Sequence, residues 1–156
     1  MALKADRYEL QTDISFFMNQ EASRGSVVVH DSTTAAGAAM DQGVNKVKTN
    51  AADNDEVPVG ILLNDVVNKD LTRTHLNQYK DEVQQGGKVT VLRKGYVVTD
   101  KITGTPNVGD LAFVCEETAG NIKPSCVGNS GSLIIGRFLT DKDSDGYAKV
   151  SINIVN

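Results

Sequence analysis

The clearest spacing for chemistry in this 156-residue chain is a run of alternating carboxylates near its end. Asp141, Asp143 and Asp145 stand at every second position, and Gly146 follows them. Oxygen ligands at this spacing form the first half of a calcium-binding loop, and the glycine permits the tight bend. An EF-hand loop also needs a bidentate Glu at its twelfth position, where this chain has Ile152. The pattern therefore predicts a solvated acidic hairpin turn, with a calcium site of another kind as the alternative.

A second segment, residues 128–132, has the sequence Gly-Asn-Ser-Gly-Ser and resembles the turn around a serine nucleophile. Such a serine needs an adjacent base, but the two histidines, His30 and His75, fall in a Val-rich strand and in a polar stretch. Glu116 and Glu117 lie at a predicted turn that follows a strand. Adjacent strand residues point to opposite faces, so this pair cannot flank one substrate by itself. Dinucleotide, P-loop and zinc-protease signatures are absent from the sequence. We therefore expect no catalytic residues and no cofactor.

Charge and composition exclude further classes of protein. The net charge is −4, and no Lys/Arg cluster is longer than the pair Arg93-Lys94, whereas a polyanion binder needs several cations on one face. We expect no direct nucleic-acid binding. No apolar run approaches the ~20 residues that span a bilayer, so no membrane contact is expected. Cys115 and Cys126 lack CxxC spacing, which is typical of free thiols in a cytosol.

The apolar residues predict a sheet protein. Nineteen Val and eight Ile supply much of the apolar volume, while aromatic residues make up 5% and Trp is absent. Branched side chains pack well on pleated surfaces. The predicted strands are residues 26–30, 57–63, 88–92 and 96–99 on either side of Gly95, 108–115, 132–139 and 147–154. Short strands separated by Gly-containing turns predict an all-β fold, a small antiparallel β-barrel or sandwich, and the choice between the two stays open.

Two segments are less regular. Residues 1–25 mix charges with one apolar island that holds half of the Phe residues, which favours an extended N-terminal arm ahead of a β-barrel domain at 26–156. The alternative is a first strand or short helix within that domain. Residues 71–83 form either an amphipathic helix or a polar loop. The island residues predicted to form an interface are Ile14, Phe16, Phe17 and Met18.

The order of several segments resembles the capsid decoration (cement) proteins of tailed double-stranded DNA phages. The residues that carry this resemblance are Val57–Asp65, Gly87–Gly95, Val108–Val114, Ile135–Leu139 and Asp145–Val150. The start of the chain, Glu9–Met18, is similar to the N-terminal part of such proteins from short-tailed phages of cyanobacteria. Each segment is an ordinary strand-and-turn pattern, and their order is more specific than any one of them.

The resemblance implies a non-enzymatic structural protein of the virion, synthesised in the host cytoplasm. It implies a homotrimer on the outer capsid surface that binds the major capsid protein and stabilises contacts between neighbouring capsomers. The exposed apolar island would suit docking into another subunit. Two alternatives stay open. One is a trimeric all-β enzyme of the dUTPase type, although its Gly-rich phosphate motif does not appear. The other is a carbohydrate or host-surface binding module, although such sites usually present aromatic platforms.

Overall fold

The computed structural model describes residues 3–31, 45–49, 57–68, 81–115, 118–125 and 133–154. These residues form strands, turns and irregular segments and no helix, so the predicted all-β fold is confirmed. The strands are β1 Tyr8–Met18, β2 Val27–His30, β3 Lys46–Thr49, β4 Pro58–Leu62, β5 Asp65–Val67, β6 Glu82–Gln84, β7 Lys88–Thr99, β8 Leu111–Val114, β9 Ile122–Lys123, β10 Ile134–Phe138 and β11 Ala148–Asn153. No helix of the described residues is long and apolar enough to cross a membrane.

Nine of these strands form one mixed sheet. Its order is β1-β3-β2-β4-β7-β11-β10-β8-β9, and β5 and β6 form a separate parallel pair. All pairings in the large sheet are antiparallel except that of β1 with β3. Because β1 also pairs with β7, the circuit β1-β3-β2-β4-β7 returns to its first strand. This arrangement is compatible with the predicted barrel or sandwich.

The apolar side chains gather into two clusters that share strands. The smaller cluster draws on all five strands of the circuit and consists of Phe16, Met18, Val28, Val47, Val59, Leu62, Val66, Val89 and Val91. The larger cluster draws mainly on the other half of the sheet, with Phe138, Ile135, Val150 and Ile152 among its fully buried members. The strand circuit therefore packs mainly on the smaller cluster, and strands β8 to β11 pack on the larger one.

Strands β2 and β4 lie between these two clusters. On β2, Val27 belongs to the larger cluster and Val28 to the smaller; on β4, Ile61 and Leu62 divide in the same way. A strand that is buried on both faces reads as a continuous apolar run instead of an alternating one. This explains why the sequences of β2 and β4 predict strands but do not show which face of each strand packs on the core.

Strand β7 corrects one expectation. Residues 88–92 and 96–99 were expected to be separate strands, but they form one strand that passes through Gly95. Gly95 has a φ of 145°, and a Cβ at this position would collide with the backbone carbonyl of Tyr8. Glycine thus lets β1 approach β7 closely while the pairing of β7 with β11 continues through Gly95.

The predicted acidic hairpin turn connects β10 with β11. The Gly146 amide donates to the Asp143 carbonyl at 3.0 Å, and the Asp143 amide donates to the Tyr147 carbonyl at 2.8 Å. Gly146 has a φ of 88°, which glycine adopts at little cost. The serine-containing segment 128–132, His75, Glu116, Glu117, Cys126 and nearly all of the predicted helix or loop at 71–83 lie outside the described residues.

Candidate functional site

The acidic turn holds the beginning of the chain. One carboxylate oxygen of Asp143, Oδ2, lies 2.9 Å from Lys4 Nζ, and the other, Oδ1, accepts the amides of Asp145 and Tyr147. The Lys4 ammonium also lies 4.2 Å from the centre of the Tyr147 ring. The Lys4 amide donates to the Val98 carbonyl, so backbone and side chain both fasten this segment.

The charges of this pair stabilise each other. The hydrogen bond from Lys4 lowers the pKa of Asp143, with a further contribution from the Tyr147 amide, and the same side-chain hydrogen bond raises the pKa of Lys4. Both groups are therefore charged at neutral pH. The contribution of Asp143 is present above its unfolded pKa and is lost as pH falls through its lower folded pKa. The contribution of Lys4 is lost when pH rises through its raised pKa. Since both side chains are exposed, solvent screens the pair and its contribution is small.

The other carboxylates of the turn do not converge with Asp143 on one point. Asp141 accepts the amide of Val108 at 2.8 Å and so fastens the loop before β8. Asp145 is exposed at the tip. Among the residues that the structure describes, no group of three or more His, Cys, Asp or Glu side chains is placed to hold a metal ion. The structural use of Asp141 and Asp143 is to hold two other segments of the chain.

The apolar island near the N-terminus divides between core and surface. Residues 8–18 form β1, which pairs with β7 from Tyr8 to Phe17. Met18 is fully buried and Phe16 is buried, so as placed their side chains face the smaller cluster. Phe17 is half-buried beside the Lys88 ammonium, and Ile14 is 64% exposed. Of the four predicted interface residues, the structure leaves Ile14 and part of Phe17 accessible.

A bulge in β1 produces this division. The pairing with β7 shifts between Asp13 and Phe16. Within the bulge the Asp13 carboxylate accepts the amide of Ser15 at 2.8 Å and its hydroxyl at 2.5 Å. The Ser15 hydroxyl is the main cause of the lowered pKa of Asp13, and the Arg93 guanidinium adds to it. Since a bulge adds a residue on one strand, it changes which side chains point inward.

One cavity among the described residues is lined by three acidic residues, three apolar residues and one serine. This open cavity of about 350 Å³ lies between β5, β6 and the segment after β1. Beside it, Arg24 bonds Asp81 at 2.6 Å and lies 3.4 Å from Asp65, so two of the nearby carboxylates are paired. The lining residues are Glu21, Ala22, Ser23, Asp65, Val66, Val67 and Glu82.

Exposed apolar side chains gather on β1 and around β8 and β10. On β1 they are Tyr8, Leu10 and Ile14. Around β8 and β10 they are Val108, Leu111, Leu133, Ile134 and Leu139. Sequence reasoning missed the second group because it assigned these residues only to strands. We call five neighbouring residues on β8, β9 and β10 the basic-apolar patch: Leu111, Phe113, Lys123, Ile134 and Arg137.

The described residues form an all-β body whose acidic turn fastens its own segments and whose surface carries exposed apolar side chains, features that are typical of proteins that bind other proteins. Comparison with known families identifies it further. The family described as structural cement protein (E217 gp24/Pam3 gp6) matches residues 12–153. The chain therefore belongs to this family of phage structural cement proteins. No curated protein matches it. The predicted resemblance to phage cement proteins is confirmed, and the narrower likeness to cyanobacterial phages stays a prediction.

Proposed function

We propose that this chain binds the outer surface of the phage head as a homotrimer and stabilises the contacts between neighbouring capsomers. The observation that carries the proposal is the family match over residues 12–153. The partner in this proposal is the major capsid protein, and the role is mechanical instead of enzymatic. The strand circuit, in which β1 pairs with both β3 and β7, is compatible with this role.

Ile14 and the accessible part of Phe17 are the candidates for contact on the apolar island. Tyr8 and Leu10 extend this surface along β1, and both are more than half exposed. A protein that joins neighbouring subunits needs at least two contact surfaces, one for each subunit. Weak contacts of this kind gain strength when they are repeated by symmetry, because each binding event raises the effective concentration for the next.

Adding the protein back to particles tests this proposal. Particles assembled without the chain are mixed with purified protein and separated on a density gradient. We expect saturable co-sedimentation and release of DNA at a higher temperature than from bare particles, because bound protein stabilises the state to which it binds. Light scattering of the free protein is expected to give three times the chain mass of 16.7 kDa. Absence of co-sedimentation would contradict capsid binding, and a mass of one chain would contradict the trimer alone.

A further inference from the structure

Charge is unevenly distributed along this chain. It has 20 Asp and Glu residues against 16 Lys and Arg, yet strands β7 to β11 contain only basic charged residues. These residues are Lys88, Arg93, Lys94, Lys123, Arg137 and Lys149. The described carboxylates after residue 88 all lie in the connections, at Asp100, Asp110, Asp141, Asp143 and Asp145. Two of these cations, Arg93 and Lys149, pair with Asp13 and Asp6, which leaves Lys88, Lys94, Lys123 and Arg137 without an ion pair among the described residues.

The strand register brings two of these cations next to exposed apolar side chains. Arg137 pairs with Leu111, Ile134 pairs with Phe113, and Phe113 pairs with Lys123 across β10, β8 and β9. Residues directly opposite each other on neighbouring strands point to the same face. The intervening Ala112 and Ile135 are fully buried, so the five residues of the basic-apolar patch share the outer face.

The patch places exposed apolar side chains beside an arginine and a lysine. Ile134 is 54% exposed and Leu111 is 36% exposed, while Phe113 is half-buried between strands. The Arg137 guanidinium donates to the Gly109 carbonyl, which holds it at the edge of the patch. Neither Arg137 nor Lys123 forms an ion pair with any residue in the described ranges. Aromatic side chains and arginine around a desolvated centre are enriched where proteins bind each other.

We propose that the basic-apolar patch docks on an acidic protein surface of the phage shell. Carboxylates of the partner face Arg137 and Lys123, and an apolar side chain between them packs on Leu111 and Ile134. This inference rests on the proposed function and names the chemistry of its partner.

Charge complementarity favours this occupant over two others. A twofold contact between two copies would place Arg137 and Lys123 against the same cations, which repel each other. A threefold contact joins two different surfaces and escapes this repulsion, and the oligomeric mass of the variant distinguishes it. A polyanion such as DNA would gain from the cations but would bury no apolar surface on Leu111 and Ile134, and its binding needs more neutralised phosphates than two cations provide.

Charge reversal tests the proposal. The double variant Lys123→Glu/Arg137→Glu is compared with the wild type for binding to particles assembled without the chain. We expect binding at least ~10-fold weaker, because like charges now oppose the partner's carboxylates. Wild-type binding should weaken as salt rises, and the variant should lose that dependence. The matched control compares two single variants, Arg137→Glu and Lys94→Glu. Lys94→Glu makes the same charge change at an exposed β7 residue outside the patch, opposite Gln11 and away from Phe17, and is expected to bind as the wild type does.

The outcomes are distinguishable. Equal binding by wild type and K123E/R137E overturns the patch assignment while the proposed function stands. If the variant loses its oligomeric mass in the absence of particles, the patch forms a contact between copies of the chain. If a DNA column retains the wild type but not the variant, the patch binds a polyanion. Either result overturns the proposal. If wild-type protein binds no particle, the proposed function fails and the patch proposal fails with it. Should the double variant not fold, Ile134→Asp, at a patch residue that is 54% exposed, is measured in its place.

Discussion

Gly136→Ala is expected to destabilise the fold by about 3 kcal/mol or more, at the upper end of the cost of overpacking. Gly136 lies on β10 opposite Ile152 of β11. A Cβ at this position would overlap the backbone carbonyl of Ser151, which cannot rotate away as a flexible side chain would. The two strands must separate to admit the methyl group, and they carry core residues on their inner face, including Phe138 and Val150.

Gly109→Ala provides the matched control. Gly109 has a φ of 91°, but a Cβ there would meet no atom within 4 Å. Its cost is limited to the backbone strain of a left-handed residue, about 1–2 kcal/mol. Urea unfolding of both variants measures the difference. Equal midpoints for Gly136→Ala and the wild type would show that β10 and β11 do not approach each other as described.

Met18→Ala is expected to cost about 2–5 kcal/mol, the range for removing a large core side chain. Met18 is fully buried in the smaller cluster, at the end of β1 where it pairs with Val47 of β3. Ile14→Ala on the same strand is expected to change stability by about 0.5 kcal/mol or less, because Ile14 is 64% exposed. Thermal or urea unfolding of Met18→Ala and Ile14→Ala measures this difference in stability. Equal losses would mean that the apolar island does not divide between core and surface.

The division of the apolar island between core and surface decides which variant can test its contact with the capsid. Removal of residues 1–20 would delete β1 with Phe16 and Met18, and would leave Val89 and Val91 of β7 without their partners. Loss of capsid binding after such a deletion would therefore follow from loss of folding. Substitution of Ile14 tests the surface without that effect.

The regular parts of the fold are visible in the sequence. Strand β11 alternates buried and half-buried residues from Ala148 to Ile152, as a strand with one face on the core does. The Asp145-Gly146 turn before it has the chemistry of a hairpin tip. Both are local patterns, in which side-chain period and turn residues act over fewer than ten positions.

The less predictable parts depend on contacts between distant segments. The first residues of β1 are exposed at nearly every position, so they show no strand period, and only pairing with β7 makes them a strand. Gly95 is read locally as a break, but β7 continues through it, because the close approach of β1 requires a residue without a Cβ there. The register shift between Ile134 and Gly136 turns Ile134 to the surface inside an apolar run. For this reason the basic-apolar patch is absent from the sequence pattern.

The copy number of the chain in purified virions tests the central claim most directly. Quantitative mass spectrometry of particles from the phage that encodes the chain compares its copies with those of the major capsid protein. A cement protein of the outer surface is expected at a constant ratio, near one to one or another fraction set by the lattice, in independent preparations. Absence of the chain from washed particles, or a ratio that varies between preparations, would contradict the capsid role.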